Sequence, residues 1–384
     1  MKKNNLIFYA IPYNTEAWRN FRLTGISEKE AKQYKCNSYA GGIGSSECTY
    51  IMREYPIKDR PIIQDFFYYK IGMNIPPFEP SELMIHGLET EEMIKNRWRC
   101  YAGENDWLER YIKWNESKSF EKTKYILRNA RRINKYVVNK KYNWLFSSFD
   151  FWADKYSFNL ITGESMEHGF PIETKDTSYY YVGKYKENFP RSFNIQVHQE
   201  MIVSNSEYCE VAMFVDRKFK VVPIERDKLL VDEILDTTHE FWQSVLKARE
   251  YLKLRNEALE KNNKEKAEEY EAYISSLEPA PDDTESYKDY FKERFQIEQE
   301  KVKGDLKYFQ IAKLYKAWGE IMKLAKNKQQ FQKNKLLKLM LDEKAERIDF
   351  EDMGYVQGSP IFYNGIKEEF DKNIVENEFN KIEL

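Results

Sequence analysis

Phe170-Pro171-Ile172-Glu173-Thr174-Lys175 is the stretch on which the fold turns. It reads as a short strand, and side chains alternate across a strand, so Glu173 and Lys175 share one face while Thr174 points to the other. A carboxylate and an ammonium side by side at a strand edge can hold a metal ion and a water together, the lysine stabilising a hydroxide-like nucleophile or a phosphate charge. The Thr174 carbonyl can add a further ligand. Acid-x-Lys is a common tripeptide in a chain so rich in Lys and Glu, so the surrounding elements must carry the reading.

Upstream, Trp144-Leu145-Phe146-Ser147-Ser148-Phe149-Asp150 reads as a second strand ending on an acid. Asp150 and Glu173 are 23 positions apart, and the polar excursion Asp154 to Gly169 must loop out as a hairpin extension for the two carboxylates to meet. Asp154 competes with Asp150 for the same role. Earlier still, Pro76, Pro77 and Pro80 mark a loop, and a helix is expected from near Ser81, carrying Glu82, Leu83, Gly87 and Glu91. Gly87, lacking a side chain, would let this helix approach the sheet. Glu89 and Glu92 compete with Glu91. Downstream, Phe193 to Ser204 reads as a helix, Glu210 to Val215 as a buried strand, and Phe219 to Ile224 as its partner across Asp216 to Lys218. Near the start, Trp18 to Leu23 is a short amphipathic piece ending at Gly25, and Ser45 or Ser46 is expected to cap a helix after Gly41-Gly42-Ile43-Gly44. Together these elements make a mixed α/β domain over residues 14–245.

Asp and Glu converging from separate elements are hard oxygen donors suited to one or two Mg2+ ions, which activate water and neutralise phosphate in phosphodiester hydrolysis. A polyanion also needs positive charge. Between residues 118 and 141 lie nine basic side chains, Lys118, Lys122, Lys124, Arg128, Arg131, Arg132, Lys135, Lys140 and Lys141, against the single acid Glu121. Ile126, Leu127, Ala130, Ile133 and Val137 fall between them at helical spacing, predicting a helix with one packed and one positive face. No base-reading motif is visible, so contacts to the DNA backbone and sequence-indifferent cleavage are expected.

The whole chain of 384 residues has a net charge of -2, so any nucleic-acid contact must come from such a local patch. Cys36, Cys48, Cys100 and Cys209 are widely spaced, which argues against a zinc, iron–sulfur or disulfide framework. No apolar run reaches transmembrane length and Met1 to Tyr13 lacks the pattern of a signal peptide, so a cytoplasmic protein without a membrane partner is expected.

Residues 246–347 differ in character. Phe241, Val245, Ala248, Leu252 and Leu259 sit on one helical face, a break is expected near 278–285, and Tyr308, Ile311, Tyr315, Trp318, Met322 and Ala325 follow at steps of three and four. That spacing suggests a helical hairpin or coiled coil, packed on itself or on another copy. Residues 348–384, with Gly354, Gly358, Pro360 and Gly365 among aromatics, read as a small hairpin and tail.

In this order the motifs resemble the YqaJ-type viral recombinases and lambda exonuclease, members of the PD-(D/E)XK nucleases. The resemblance spans roughly residues 15 to 245. Trp18 to Ile26 is similar to the family's W-x-x-x-R opening, and Gly42-Ile43-Gly44-Ser45-Ser46-Glu47 to its G-I-G-G-S-D loop. His86-Gly87-Leu88-Glu89-Thr90-Glu91 matches its R-G-x-x-x-E helix, Ile172-Glu173-Thr174-Lys175 its E-x-K strand, and Gln196 to Met201 its Q-V-Q-x-x-M helix. Ser148-Phe149-Asp150-Phe151 stands where the family has S-P-D-G, without the flanking Pro and Gly.

The resemblance implies a restriction-endonuclease-like α/β core, a central mixed sheet flanked by helices, with a helical, coiled-coil-like extension. It implies Glu91, Asp150 and Glu173 as metal ligands for Mg2+, with Mn2+ able to substitute, and Lys175 and Gln196 as the groups positioning water or phosphate. It implies Arg22 and Ser46 as holding the phosphate of a DNA end, with Arg128, Arg131, Arg132 and Lys135 beside the site. It further implies a 5′-to-3′ exonuclease on double-stranded DNA ends in phage or prophage recombination, a single-strand annealing recombinase as partner, and a ring-shaped homo-oligomer. An endonuclease on the same core and an inactive DNA-binding or assembly protein are the alternatives.

Overall fold

In the computed structural model residues 5–12, 15–54, 62–75, 82–103, 107–118, 121–154, 157–177, 189–281, 306–342, 347–349, 354–357 and 367–370 are described. The chain divides into two compact units, Met1–Gln296 and Ile297–Leu384.

The first unit is built on two mixed sheets flanked by helices. One sheet has the order β1 (Leu6–Tyr9), β4 (Tyr136–Asn139), β5 (Leu145–Ser147), β2 (Ile43–Gly44), antiparallel except for the parallel β2–β5 pair. The other has the order β3 (Ala130–Arg131), β6 (Phe151–Ala153), β7 (Pro171–Thr177), β8 (Tyr208–Val215), β9 (Lys218–Glu225), antiparallel except for the parallel β7–β8 pair.

The expected strand Trp144 to Asp150 therefore stops at Ser147: β5 belongs to the first sheet, β6 starts only at Phe151 in the second, and Asp150 lies in the bend between them. That bend is why two sheets stand where one central sheet was expected.

Alternation along β8 shows what covers the second sheet. Tyr208, Ala212 and Phe214 pack with Ile94 and Trp98 of α5 (Glu82–Arg99). Cys209, Val211 and Met213 pack on the opposite face with Val197 and Met201 of α7 (Arg191–Ser204). Such two-sided burial makes β8 a continuous apolar run broken only by Glu210.

Helix α7 also serves the first sheet. Ile195, Ile202 and Val203 join its core, Asn139 Nδ2 on β4 donates to the carbonyls of Ile202 and Val203, and Gln199 Nε2 donates to those of Ile43 and Phe146. One helix thus ties the two sheets together.

Smaller helices complete the unit: α1 (Glu16–Leu23), α2 (Glu28–Gln33), α3 (Ser45–Ile51), α4 (Ile63–Ile71) and α6 (Trp107–Glu116). Neither Ser45 nor Ser46 caps α3. Gly44 holds that position, its N–H donating to Glu47 Oε2 at 2.7 Å, while the Ser45 hydroxyl shares a 2.6 Å hydrogen bond with that of Ser147.

The basic segment 118–141 is not a helix. It holds a 3-10 turn (Glu121–Tyr125), then β3 and β4. Tyr136 to Asn139 is wholly buried, and a short apolar run with β-branched residues that is buried on both faces carries no period to separate strand from helix.

The helix expected around Phe241 runs through position 245. It is α8 (Lys228–Glu260), and it sends Val231, Ile234, Phe241, Trp242, Val245 and Ala248 into the core shared with β4 and β5. Each buried Val, Ile or Phe among these is worth about 1.5–3 kcal/mol, and the helix is part of the first unit. It turns back at Asn262, whose φ is 54°, into α9 (Lys264–Ser276), so the hairpin partner of α8 is α9.

The second unit contains α10 (Leu306–Asp342) and an antiparallel sheet of β10 (Arg347–Asp349), β11 (Gly354–Gln357) and β12 (Lys367–Phe370), one strand more than the expected hairpin. Ile311, Tyr315, Trp318 and Met322 on α10 are exposed. Gly358, Pro360 and Gly365, like the proline loop at 76–80, lie outside the described residues. No helix among the described residues is long and apolar enough to cross a membrane, and the four cysteines are free thiols.

Candidate active site

The candidate site forms where the Asp150 bend, β7, α5 and α7 meet. On β7, Glu173 and Lys175 face α7 as their spacing demands. Lys175 Nζ donates to Glu173 Oε1 at 2.5 Å and to Gln196 Oε1 at 2.9 Å, and Gln196 Nε2 donates to Glu173 Oε1 at 2.6 Å. The three side chains close a ring of hydrogen bonds. Thr174 is on the other face, as expected, and its own N–H and hydroxyl both donate to Asp150 Oδ2, at 2.9 and 2.7 Å. Asp150 is thereby anchored to β7 from the loop that separates the two sheets.

Four carboxylates gather here. Burial, reinforced by the charges of Glu173 and Glu91, pushes the Asp150 carboxyl well above the usual carboxylate range. Burial also raises Glu91, against the pull of Arg132 and with the repulsion of Glu173 and Glu92 behind it. The fourth is Glu200, one helical turn past Gln196. Burial, the charges of Glu173 and Asp150 and a side-chain hydrogen bond with Glu173 hold its carboxyl far above normal, and its Oε2 is buried with no donor among the described residues. Lys175 is disfavoured by burial, but Glu173, Asp150 and Glu200 outweigh this and raise its pKa above the ordinary lysine value. Sequence reasoning passed over Glu200, although Gln196 and Glu200 are i and i+4 on one helix face, the spacing at which two side chains address one site.

The competing acids lie elsewhere. Glu89 and Glu92 are exposed on α5, Glu92 paired with Lys95. Asp150 is the acid on which the charges of Glu173 and Glu91 act. Gly87 does not serve close approach, since a Cβ there would meet nothing within 4 Å.

The donor set fits a hard divalent cation such as Mg2+. It is all oxygen, it has more carboxylates than the two cations Lys175 and Arg132 can neutralise, and it includes the orphaned Glu200 oxygen. It is not a formed cage: among the described residues no three Asp, Glu, His or Cys side chains stand together as metal ligands. The reason is visible in the pairings: Glu173 accepts from Lys175 and Gln196, Asp150 accepts from Thr174, and Glu91 Oε2 forms an ion pair with Arg132 Nη1 at 2.7 Å.

The expected DNA-facing residues divide. Arg131, Arg132 and Lys135 are exposed. Arg128 is not: it is buried, and Nη1 donates to both oxygens of Glu210 at 2.8 Å while its guanidinium lies 4.0 Å over the Trp98 ring. It is a core cation rather than a phosphate contact, because leaving the helical pattern turned it inward. Arg22 is drawn to Glu47 at 3.3 Å, a carboxylate that also takes the fully buried Lys70 at 2.7 Å. Ser46 is exposed at the start of α3. The histidine of the Gln196 helix is structural: His198 Nδ1 bonds the Asn194 carbonyl at 2.8 Å, and Nε2 accepts the Asp227 N–H at 2.9 Å where α8 begins.

No protein-family model and no curated protein matches the chain. Among solved structures it is similar to the crystal structure of LHK-Exo in complex with dAMP, at 15% sequence identity and a TM-score of 0.40, over 57% of this chain and 94% of that one. It is likewise similar to the crystal structure of an alkaline exonuclease (LHK-Exo) from Laribacter hongkongensis, with the same identity and coverage and a TM-score of 0.38. Scores of this size mark a distant likeness.

Proposed function

We propose that the chain is a divalent-metal-dependent nuclease acting on DNA, and specifically an exonuclease at double-stranded ends. The observation that carries this reading is that Glu91 and Glu200, from two different helices, both act electrostatically with Glu173 and Asp150, beside a lysine bonded to Glu173. Excess buried negative charge has a physical rationale at a site built for a cation, and perturbed carboxylates concentrate at functional sites.

Glu91, Asp150 and Glu173 would hold the ion, with the Glu200 carboxyl buried beside them. When bound, Mg2+ or Mn2+ supplies charge neutralisation on the scissile phosphate and a lowered pKa for water. Lys175 keeps its proton and offers positive charge to the attacking oxygen or the phosphate, while Gln196 fixes the ammonium and the Glu173 carboxylate in relation to each other. Arg131, Arg132 and Lys135 give the DNA backbone a basic approach without reading bases. Cleavage from 5′ to 3′, action in phage or prophage recombination in the host cytoplasm, a ring-shaped oligomer and a single-strand annealing partner are further parts of the proposal, and they rest on the motif resemblance.

The test is magnesium-dependent nucleotide release from linear duplex DNA. Lys175→Ala and Glu173→Ala should each abolish it, and persistence of full activity in both variants would remove the site assignment. A second reading, an endonuclease on the same core, is favoured by the engagement of Arg22 with Glu47, which withholds the guanidinium expected at a DNA end. Equal cleavage of linear and covalently closed DNA would establish that reading over the first.

A further inference from the structure

Arg132 stands in an unusual relation to Glu91. The β3–β6 register pairs Ala130 with Ala153 and Arg131 with Trp152, which brings Arg132 opposite Phe151 as β3 ends. The Phe151 ring, fully buried next to Asp150, lies 4.9 Å from the Arg132 guanidinium, and Lys95 Nζ lies 5.0 Å from the same ring. A cation over an aromatic face is held by the ring quadrupole while its N–H groups stay free to choose partners. Here Nη1 has chosen Glu91 Oε2, at 2.7 Å, with the arginine side chain 37% exposed and the carboxylate 13%. Arginine keeps its proton at any ordinary pH, and its planar fork suits carboxylate and phosphate equally well. The partly exposed guanidinium therefore neutralises Glu91 from its place over a buried ring, beside the acidic cluster.

We infer that Arg132 is a stand-in cation: it neutralises Glu91 in the metal-free protein and, once Glu91 turns to a divalent ion, its guanidinium passes to a phosphate of the DNA. This rests on the metal-dependent reading above and adds an order to it, in which metal entry frees the arginine and the freed arginine grips the substrate. Arg132 is then a competitor of the metal and an ally of the DNA, two roles that a surface salt bridge does not combine.

The experiment is titration of the full-length protein with Mn2+ alone, the free ion followed by its electron paramagnetic resonance signal, for wild type, Arg132→Gln, Arg132→Lys and Glu173→Gln. Duplex binding to a fluorescent DNA is then measured in saturating Ca2+ and in chelator. Arg132→Gln should bind Mn2+ at least about fivefold more tightly than wild type, the lower end of ordinary coupling between sites. Arg132→Lys, which keeps the charge, should stay near wild type. In Ca2+, Arg132→Gln should bind duplex about fivefold more weakly, and the loss should shrink in chelator. Mn2+ affinity that is unchanged or weaker in Arg132→Gln, while Glu173→Gln loses binding, overturns the inference and leaves the metal site standing. Equal tightening in Arg132→Lys overturns it too, since charge would not be the cause. Unchanged duplex binding in Ca2+ overturns the phosphate half. Absence of saturable Mn2+ binding in wild type, or indifference to Glu173→Gln, removes the metal-dependent reading itself and this inference with it.

Discussion

The Lys175 ammonium donates to the Gln196 amide oxygen at 2.9 Å, and the amide nitrogen returns to Glu173, so strand and helix are joined through one carboxylate oxygen. Without Gln196, Lys175 loses its second acceptor and Glu173 its second donor. Gln196→Ala should lower the single-turnover rate in Mg2+ by about 10- to 100-fold, the usual cost of losing a group that orients metal ligands. Duplex affinity should hold. A rate within twofold of wild type would reduce Gln196 to a structural amide.

Arg128 and Glu210 form a pair in which both side chains are fully buried, and Trp98 Nε1 and Tyr208 OH donate to the same carboxylate at 2.6 and 2.8 Å. Removing one partner strands the other charge in the core. Arg128→Ala should therefore cost about 3–5 kcal/mol in urea unfolding, whereas replacing both partners by apolar residues of similar volume should cost far less. Equal losses for single and double variants would show that packing, not the uncompensated charge, carries the effect.

Two glycines should respond in opposite ways. At Gly87 a Cβ meets nothing, and Gly87→Ala in α5 should stabilise the protein by about 0.5–1 kcal/mol. At Gly169 a Cβ would lie 1.8 Å from the Ala153 carbonyl oxygen and 2.4 Å from Trp152 Nε1. Gly169→Ala should destabilise by about 1–3 kcal/mol or more, since the backbone between β6 and β7 must shift. Melting temperatures of the two variants decide this at once. A tolerated Gly169→Ala would contradict the turn geometry.

His198 sets a pH dependence. Burial lowers its pKa below the ordinary 6.5, and Nε2 must stay unprotonated to accept the Asp227 N–H. The unfolded chain therefore takes up the proton first as pH falls. Stability from this group is complete above about pH 6.5, declines as the pH drops through the interval down to the lower folded value, and levels off below it. Chemical unfolding between pH 7.5 and 5 should show this slope in wild type and a flatter one in His198→Gln. Identical slopes would mean that other groups titrate in that window.

Legibility in the sequence followed the range of the interactions. The face shared by Glu173 and Lys175, the helix bearing Gln196, and the hairpin of β8 and β9 were all readable, because period and turn chemistry are local. The basic segment that contains β3 and β4 reads as a helix for the complementary reason. Its apolar spacing fits a helix, and only its pairing with β1, β5 and β6 makes it strand. Glu200 sat in plain view on a recognised helix, but nothing within that helix says that Glu173 and Asp150 stand across from it.

The amino-acid sequence by itself determined which chemical groups are available, acids and a lysine on elements of definite period, because alternation and the helical repeat are properties of a few adjacent residues. Tertiary structure alone decided which of those groups meet. It sent Arg128 into the core and Arg132 to Glu91, held Arg22 on Glu47, and gathered four carboxylates from distant positions, because burial and ion pairing depend on neighbours that the chain brings together only on folding.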